Sequence, residues 1–72
     1  RVFELEKILK PQKKEIQKYL TQGKANLITR NFPENVANLK KKWKINDGGE
    51  IYLIAVTLVN TQKVVLKCKR IR

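Results

Sequence analysis

Two clusters of basic residues give this sequence its clearest capacity for binding chemistry. They comprise Lys40, Lys41, Lys42 and Lys44 in the middle of the chain and Lys67, Lys69 and Arg70 near its end. The whole chain holds 17 Lys and Arg against 6 Asp and Glu, which gives a formal net charge of +11. An excess of this size indicates a polyanionic partner, and the usual candidates are RNA, DNA and an anionic membrane surface.

Part of this charge has an ordinary structural explanation. Cations in the last turn of a helix are stabilised by the helix dipole by about 0.3–1 kcal/mol each, which applies to 40–44 if this segment ends a helix. Lysines on an edge strand prevent edge-to-edge aggregation, which applies to Lys67 and Lys69 if the last strand is an edge. Neither effect explains why acidic residues are so scarce, whereas phosphate binding with release of counterions does.

An enzyme is the class of protein that this sequence supports least, because of the residue types that the chain lacks. It contains no His and no Ser, so Ser–His and Cys–His nucleophilic systems cannot be built. Cys68 is the only cysteine, which excludes an intrachain disulfide and a zinc site built from Cys and His. Gly48 and Gly49 lack the spacing of a phosphate-binding loop, and Asp47 is assigned with them to a turn. We therefore expect no catalytic residue, no metal and no cofactor in this chain.

The first half of the chain is predicted to form a strand, a helix and a second strand. Alternating residues predict the first strand over Val2–Leu9. Its apolar face is expected to consist of Phe3, Leu5 and Leu9. The helix is expected to begin at Pro11, because proline suits the first turn, and to end at Gly23. The second strand is expected over 25–32.

The second half is predicted to form a helix followed by a strand hairpin. The helix is expected to begin at Pro33, with Asn31 or Phe32 near its N-cap. Its core face, at spacing i, i+3 and i+7, is expected to consist of Val36, Leu39 and Trp43. The run Ile51–Val59 is apolar on both faces, which is typical of a central strand covered on both sides or flanked by neighbours. A short turn then leads into a last strand over Val64–Ile71.

These elements predict a small α+β domain, an α/β sandwich with the order β-α-β-α-β-β. Helices between strands favour a partly parallel sheet, to which the C-terminal β-hairpin adds an antiparallel edge. One domain is expected over residues 1–72. No run approaches the ~20 apolar residues of a membrane span and no signal peptide is visible, so a cytoplasmic location without membrane contact is expected. Because the chain lacks an initiator Met, we expect it to be part of a larger protein.

The aromatic residues argue against readout of individual bases. With the core face of the second helix inward, Lys41 points outward, whereas Trp43 is assigned to the core. An RNA-recognition motif would need exposed aromatics on its central strands, and Tyr52 is the only candidate there. A half-buried core position is the better interpretation of Tyr52. Contact with the shape and backbone of structured RNA is therefore favoured over base-specific readout.

An ordered set of short motifs in the middle of the chain resembles a known family. The set consists of Arg30-Asn31-Phe32-Pro33, then Leu39-Lys40-Lys41-Lys42, then Lys44-Ile45-Asn46-Asp47-Gly48-Gly49-Glu50-Ile51-Tyr52-Leu53-Ile54-Ala55. It is similar to the THUMP-like domain found at the C-terminal end of a group of bacterial class I SAM-dependent methyltransferases. No single motif is diagnostic, but their succession over about residues 30 to 55 is specific.

The resemblance implies a non-catalytic accessory domain of a methyltransferase that helps to present an RNA substrate. The implied partners are structured RNA, such as tRNA or rRNA, and the catalytic methyltransferase domain of the same chain. S-adenosylmethionine would bind in that catalytic domain, not here. The residues predicted to contact nucleic acid are Arg30, Lys40, Lys41, Lys42, Lys44, Lys67, Lys69 and Arg70.

Two other functions remain open from the sequence. The first is a protein–protein or intramolecular docking module, in which an exposed apolar patch including Phe32 or Tyr52 would pack on the catalytic domain. The second is a basic domain associated with the ribosome or with DNA. Competition by duplex DNA would favour the latter, whereas a docking module would tolerate charge reversal at Lys41 and Lys42.

Overall fold

The six predicted elements are present in the predicted order. The computed structural model describes the backbone of residues 2–20 and 22–71 and the side chains of residues 3–20 and 22–69. The elements are β1 (Val2–Leu9), α1 (Lys13–Lys18), β2 (Asn26–Arg30), α2 (Val36–Trp43), β3 (Ile51–Thr57) and β4 (Lys63–Ile71). This arrangement confirms the α+β class and the C-terminal hairpin.

The four strands form one mixed sheet in the order β1-β4-β3-β2. β2 and β3 are parallel, as the α2 crossover between them requires, and β4 is antiparallel to both β3 and β1. The edges of the sheet are therefore β1 and β2. The prediction that the last strand is an edge was wrong, because the N-terminal strand pairs with its free side. Protection of an edge consequently does not explain Lys67 and Lys69.

A bulge in β1 changes which of its residues face the core. Leu5 pairs with Cys68 and Lys7 pairs with Lys67, so one extra residue, Glu6, is inserted on the β1 side. An inserted residue shifts the alternation of side chains between the two faces by one position. Leu9 is therefore buried on the helix-covered face, while Leu5 lies on the opposite face. The prediction that Phe3, Leu5 and Leu9 share one face was wrong for this reason.

Both helices are shorter than predicted at their N-terminal ends. α1 begins at Lys13, after an N-cap at Gln12, and it ends at Lys18, well before Gly23. Gly23 does adopt the left-handed conformation, with φ 66°. Its carbonyl accepts a hydrogen bond from the backbone N–H of Asn46 at 2.9 Å, so it joins the loop before β2 to the loop before β3.

The start of α2 is set by Asn35 and not by Pro33. The Asn35 side chain accepts a hydrogen bond from the backbone N–H of Asn38 at 2.9 Å, which satisfies one of the free donors of the first turn. The prediction of a cap at Asn31 or Phe32 was therefore wrong. At the other end, Lys44 adopts the left-handed conformation, with φ 53° and ψ 54°.

We expect Asn35→Ala to destabilise the fold by about 1 kcal/mol, because the first turn of α2 then loses its side-chain acceptor. Chemical denaturation followed by circular dichroism measures this change. Asn38→Ala is the matched control, since the exposed Asn38 contributes only its backbone N–H to the cap. The control is expected to be neutral or slightly stabilising because alanine favours helix. Equal losses in both variants would contradict the capping role.

The core lies between the two helices and one face of the sheet. The buried side chains on that sheet face are Leu9, Leu27, Leu53, Ala55 and Val65. Ile16 of α1 and Leu39 and Trp43 of α2 close this core, and all three are at most 1% exposed. The predicted core face of α2 is thus confirmed. Both helices cover the same side of the sheet, which we call the helix side.

The other side of the sheet carries no helix among the described residues, and we call it the open face. Its described side chains are polar at Asn26 and Arg30 of β2, and the others are Phe3, Leu5, Ile8, Ile28, Tyr52, Ile54, Val56, Val64, Leu66 and Cys68. Ile54 at its centre pairs with Ile28 on one side and with Leu66 on the other. No helix in the described part of the chain is long and apolar enough to cross a membrane.

Candidate nucleic-acid interface

The lysines of α2 project from the helix side of the molecule. Because Leu39 and Trp43 point into the core, the helical period of 3.6 residues turns Lys41 and Lys42 toward solvent. Lys40 is only half-exposed at the border of the core, and Lys44 is exposed at the C-cap. These positions agree with the orientation expected from the sequence. They produce a row of ammonium groups above a single buried tryptophan.

Two of these lysines form ion pairs in which a phosphate could replace the carboxylate. Lys40 Nζ lies 2.6 Å from an oxygen of Asp47, and Lys42 Nζ lies 3.1 Å from an oxygen of Glu34. Exposed pairs of this kind contribute only about 0–1 kcal/mol, because water and salt screen them. Asp47 is thus more than a turn residue, but it holds Lys40 too weakly to remove it from a binding surface.

The lysines of β4 lie on the same side of the molecule as α2. Lys67 pairs with Leu53 and Lys69 pairs with Ile51, and both partners belong to the helix side of β3. Lys67 is half-buried and its Nζ donates to Glu6 at 2.7 Å. This hydrogen bond, reinforced by the charges of Lys67 and Lys69, lowers the pKa of Glu6. Lys69 is exposed.

Lys7 is a basic residue of this surface that sequence reasoning missed. It lies directly opposite Lys67 in the β1–β4 ladder, where two like charges are unfavourable. The structure separates them by directing Lys67 to Glu6, while Lys7 Nζ lies 5.2 Å from the centre of the Tyr19 ring. In the sequence, Lys7 only interrupted an apolar face. Its position on the helix side follows from regular alternation, because it lies two residues before the buried Leu9 in β1.

The predicted set of contact residues divides between the two sides. Six of these residues lie on the helix side of the sheet, and we call them the helix-side lysine surface: Lys40, Lys41, Lys42, Lys44, Lys67 and Lys69. Arg30 is exposed but pairs with Val56, which places it on the open face at the end of β2. Arg70 pairs with Phe3 in the sheet, and its side chain lies outside the described residues. The structure therefore does not bring Arg30 together with the lysines.

The aromatic residues are placed as core or open-face groups. Trp43 is 1% exposed, which confirms its assignment to the core. Phe32 packs edge-on against it, with ring centroids 6.4 Å apart, so Phe32 is not part of an exposed patch. Tyr52 is half-buried as predicted, but it lies on the open face against Phe3, with centroids 4.8 Å apart. None of these three rings is presented to a base beside the lysines.

The described residues offer no metal-binding cluster. They contain no group of three or more His, Cys, Asp or Glu side chains that could hold a metal. Gly48 and Gly49 have φ 130° and 78°, and they turn the chain from α2 into a strand. A nucleotide-binding loop would instead lead into a helix N-terminus. Cys68 is free and buried, and this burial raises the pKa of its thiol.

The fold and sequence together match one family. The model of the THUMP domain-like family matches residues 1–70. The chain belongs to this family. The match extends the similarity seen over the central motifs to nearly the whole THUMP-like domain, including β1 and β4. No curated protein matches the chain.

A solved structure provides the wider context of the domain. It is the crystal structure of a "putative methyltransferase" from Porphyromonas gingivalis, which is 30% identical in sequence and superimposes with a TM-score of 0.83. The match covers 97% of this chain but only 18% of the other protein. The THUMP-like domain is thus similar to one small part of a much longer protein.

Proposed function

We propose that this THUMP-like domain is a non-catalytic accessory domain of a bacterial, cytoplasmic SAM-dependent methyltransferase and that it contacts structured RNA, such as tRNA or rRNA. The parent polypeptide would supply the catalytic domain and bind S-adenosylmethionine there. Support for the methyltransferase context comes from the similar Porphyromonas gingivalis protein, of which this domain spans 18%. The residues of the domain itself provide neither a nucleophile system nor a glycine-rich loop before a helix among the described elements.

The segregation of charge is the observation that supports RNA contact. Six of the eight predicted contact residues lie on the helix-side lysine surface, although they come from two segments more than 20 residues apart in the chain. Within the described residues, only Lys40, Lys42 and Lys67 among them form ion pairs. The opposite face of the sheet is largely apolar. A merely soluble basic protein would gain nothing from this separation, whereas a polyanion requires it.

Backbone contact fits this surface better than base readout. Single-stranded RNA is typically recognised by stacking bases on exposed aromatic rings. On the helix side Trp43 is buried, and the half-buried Tyr19 lies beneath the ammonium group of Lys7. Flexible lysines act as point charges that follow phosphates without reading sequence. Duplex RNA in a stem or a folded tRNA is therefore the proposed ligand.

Charge reversal on the helix side tests this function. Lys41→Glu is expected to weaken binding of a stem-loop RNA about tenfold at low salt, because it replaces a phosphate contact with repulsion. Fluorescence anisotropy of a labelled RNA measures the affinity. Arg30→Glu is the matched control, since it changes the net charge equally but lies on the open face.

We expect the control variant to lose much less affinity than Lys41→Glu. The proposal is contradicted if the unmodified domain binds no RNA at low salt, or if Lys41→Glu binds as tightly as the unmodified domain. Equal competition by duplex DNA would instead favour a DNA-associated domain. Both variants should retain the circular dichroism spectrum of the native fold, because both residues are exposed.

A further inference from the structure

The open face is a largely apolar surface that no described helix of the chain covers. Leu5 and Ile8 on the edge strand β1 are 52% and 57% exposed. Tyr52 and Ile54 of β3 and Leu66 of β4 are half-buried only by their neighbours in the same sheet layer. The cross-strand pairs Ile8–Leu66 and Ile54–Leu66 join these residues into one patch. Single exposed apolar residues are common on proteins, but a contiguous patch marks an interaction site.

The patch has the size of one side of an interface between domains. Strands about 4.8 Å apart and residues about 3.3 Å apart along each strand give a surface of roughly 15 by 20 Å, or about 300 Å². Interfaces between domains of one chain bury about 600–1,500 Å² in total, so each partner contributes about 300 Å² or more. The open face reaches the lower end of this range.

The charge of the molecule argues against RNA on this face. Among the described side chains of the strands, the only charged one on the open face is Arg30, at the end of β2. All six residues of the helix-side lysine surface lie on the other side. The two aromatic rings of the open face, Phe3 and Tyr52, pack against each other. Arg30 pairs with Val56, four residues along β3 from Tyr52, so among the described side chains of this face no cation lies beside the rings to meet the phosphate of a stacked base.

Charge also argues against a second copy of the chain as the occupant. Each chain carries a formal net charge of +11, so pairing two open faces would bring +22 into one small particle. Such self-repulsion opposes association at moderate salt. The partner that covers the open face must therefore carry little positive charge, and it must leave the helix side accessible to RNA.

We propose that the open face is the docking surface for an apolar patch on the methyltransferase domain of the same polypeptide. This inference rests on the proposed function, and it adds which surface of the domain docks and how the domain is oriented on its partner. More than four fifths of the similar Porphyromonas gingivalis protein lies outside the matched region, which provides a large partner. Docking through the open face turns α2, Lys67 and Lys69 away from the catalytic domain. The lysines are then free to hold an RNA that extends to the active site.

Hydroxyl-radical footprinting compares the exposure of side chains in the 72-residue domain and in the parent polypeptide. In the domain alone, we expect Leu5, Ile8 and Leu66 to be oxidised readily. In the parent polypeptide, their oxidation should fall to the level of a fully buried residue such as Leu53. Leu58 and Val59 are the internal control. They are apolar and 44% and 105% exposed, but they lie in the turn beyond β3, so they should react equally in both proteins.

Matched variants separate docking from folding. Leu5→Asp with Ile8→Asp should restore oxidation of Leu66 in the parent polypeptide, whereas Leu58→Asp with Val59→Asp should leave it protected. Because all four side chains are exposed in the domain alone, both double variants should melt at nearly the same temperature as the unmodified domain.

Three results would overturn the docking proposal. The first is equal oxidation of Leu5 and Ile8 in the domain and in the parent. The second is protection in the domain alone that rises with its concentration, which would identify a second copy as the occupant. The third is protection of Phe3 and Tyr52 by added RNA. A parent polypeptide whose sequence contains no methyltransferase domain would refute the proposed function itself, which is a distinguishable outcome.

Discussion

Trp43→Ala is expected to lower the free energy of unfolding of the domain by about 3–5 kcal/mol. Trp43 is the largest fully buried side chain and packs at the centre of the core beneath α2. Truncation of a buried tryptophan to alanine typically costs about 3–5 kcal/mol. A chain of 72 residues has a total stability of only about 4–11 kcal/mol. Repulsion within a chain of net charge +11 places the free energy of unfolding in the lower part of this range. The loss of this one side chain therefore removes a large share of that free energy.

Urea denaturation followed by circular dichroism measures this loss, since Trp43 is the only tryptophan and its fluorescence disappears with it. Trp43→Phe is expected to cost less, because it keeps a ring against Phe32. It also removes an indole N–H that has no acceptor among the described residues. Val59→Ala, at a fully exposed position, should stay within about 0.5 kcal/mol of the unmodified domain. A loss at Trp43→Ala as small as that control would contradict the central role of this side chain.

The parts of the fold that depend on local pattern could be predicted from the sequence. Val36, Leu39 and Trp43 recur with the helical period, so their common face does not depend on any distant residue. The β-branched run of β3 and the glycine turn before it are equally local signals. These features, with the alternation of helices and strands, determine the element order and the α+β class.

The parts that depend on distant pairing could not be predicted. β4 became an interior strand because β1, more than 50 residues away in the chain, pairs with its free side. The bulge at Glu6 arises from the register of that same pairing, and it places Phe3 and Leu5 on the face opposite to Leu9. The N-cap of α2 is Asn35, which is extended as an N-cap requires, whereas Asn31 adopts the left-handed conformation with φ 51°. Residue type alone did not distinguish these two asparagines.

The candidate site shows the same division. The two basic clusters were visible in the sequence, and the outward direction of Lys41 followed from the core face of α2. That Lys67 and Lys69 lie on the same side as α2 depends on the β3–β4 register, as does the separation of Arg30 from them. The apolar residues on both faces of β3 predicted a central strand that is covered on both sides or flanked by neighbours, and β3 is flanked by β4 and β2. Among the described residues only one side is covered, and the remaining face is the one that we propose for docking.

RNA affinity is expected to fall steeply with salt, and the slope counts the lysines in contact. Lys41, Lys44 and Lys69 make no ion pair with any described residue, so they can neutralise phosphates without losing a partner. Three phosphate contacts give a slope of about −2.7 in log affinity against log salt, which is a loss of about 40-fold between 50 and 200 mM. If Lys40, Lys42 and Lys67 exchange their carboxylate partners for phosphates, the slope approaches about −5.4 and the loss about 1,800-fold.

Anisotropy titrations of a labelled stem-loop RNA at four or five KCl concentrations measure this slope. Lys41→Glu should make the slope shallower by about 1, whereas Lys41→Arg keeps the charge and should leave it unchanged. Leu5→Asp with Ile8→Asp adds two negative charges on the open face, and its slope should also stay unchanged because no contact is lost. A slope near zero for the unmodified domain would show that phosphates are not neutralised by the helix-side lysine surface. A change of slope in the open-face variant would place the RNA on the opposite side of the sheet.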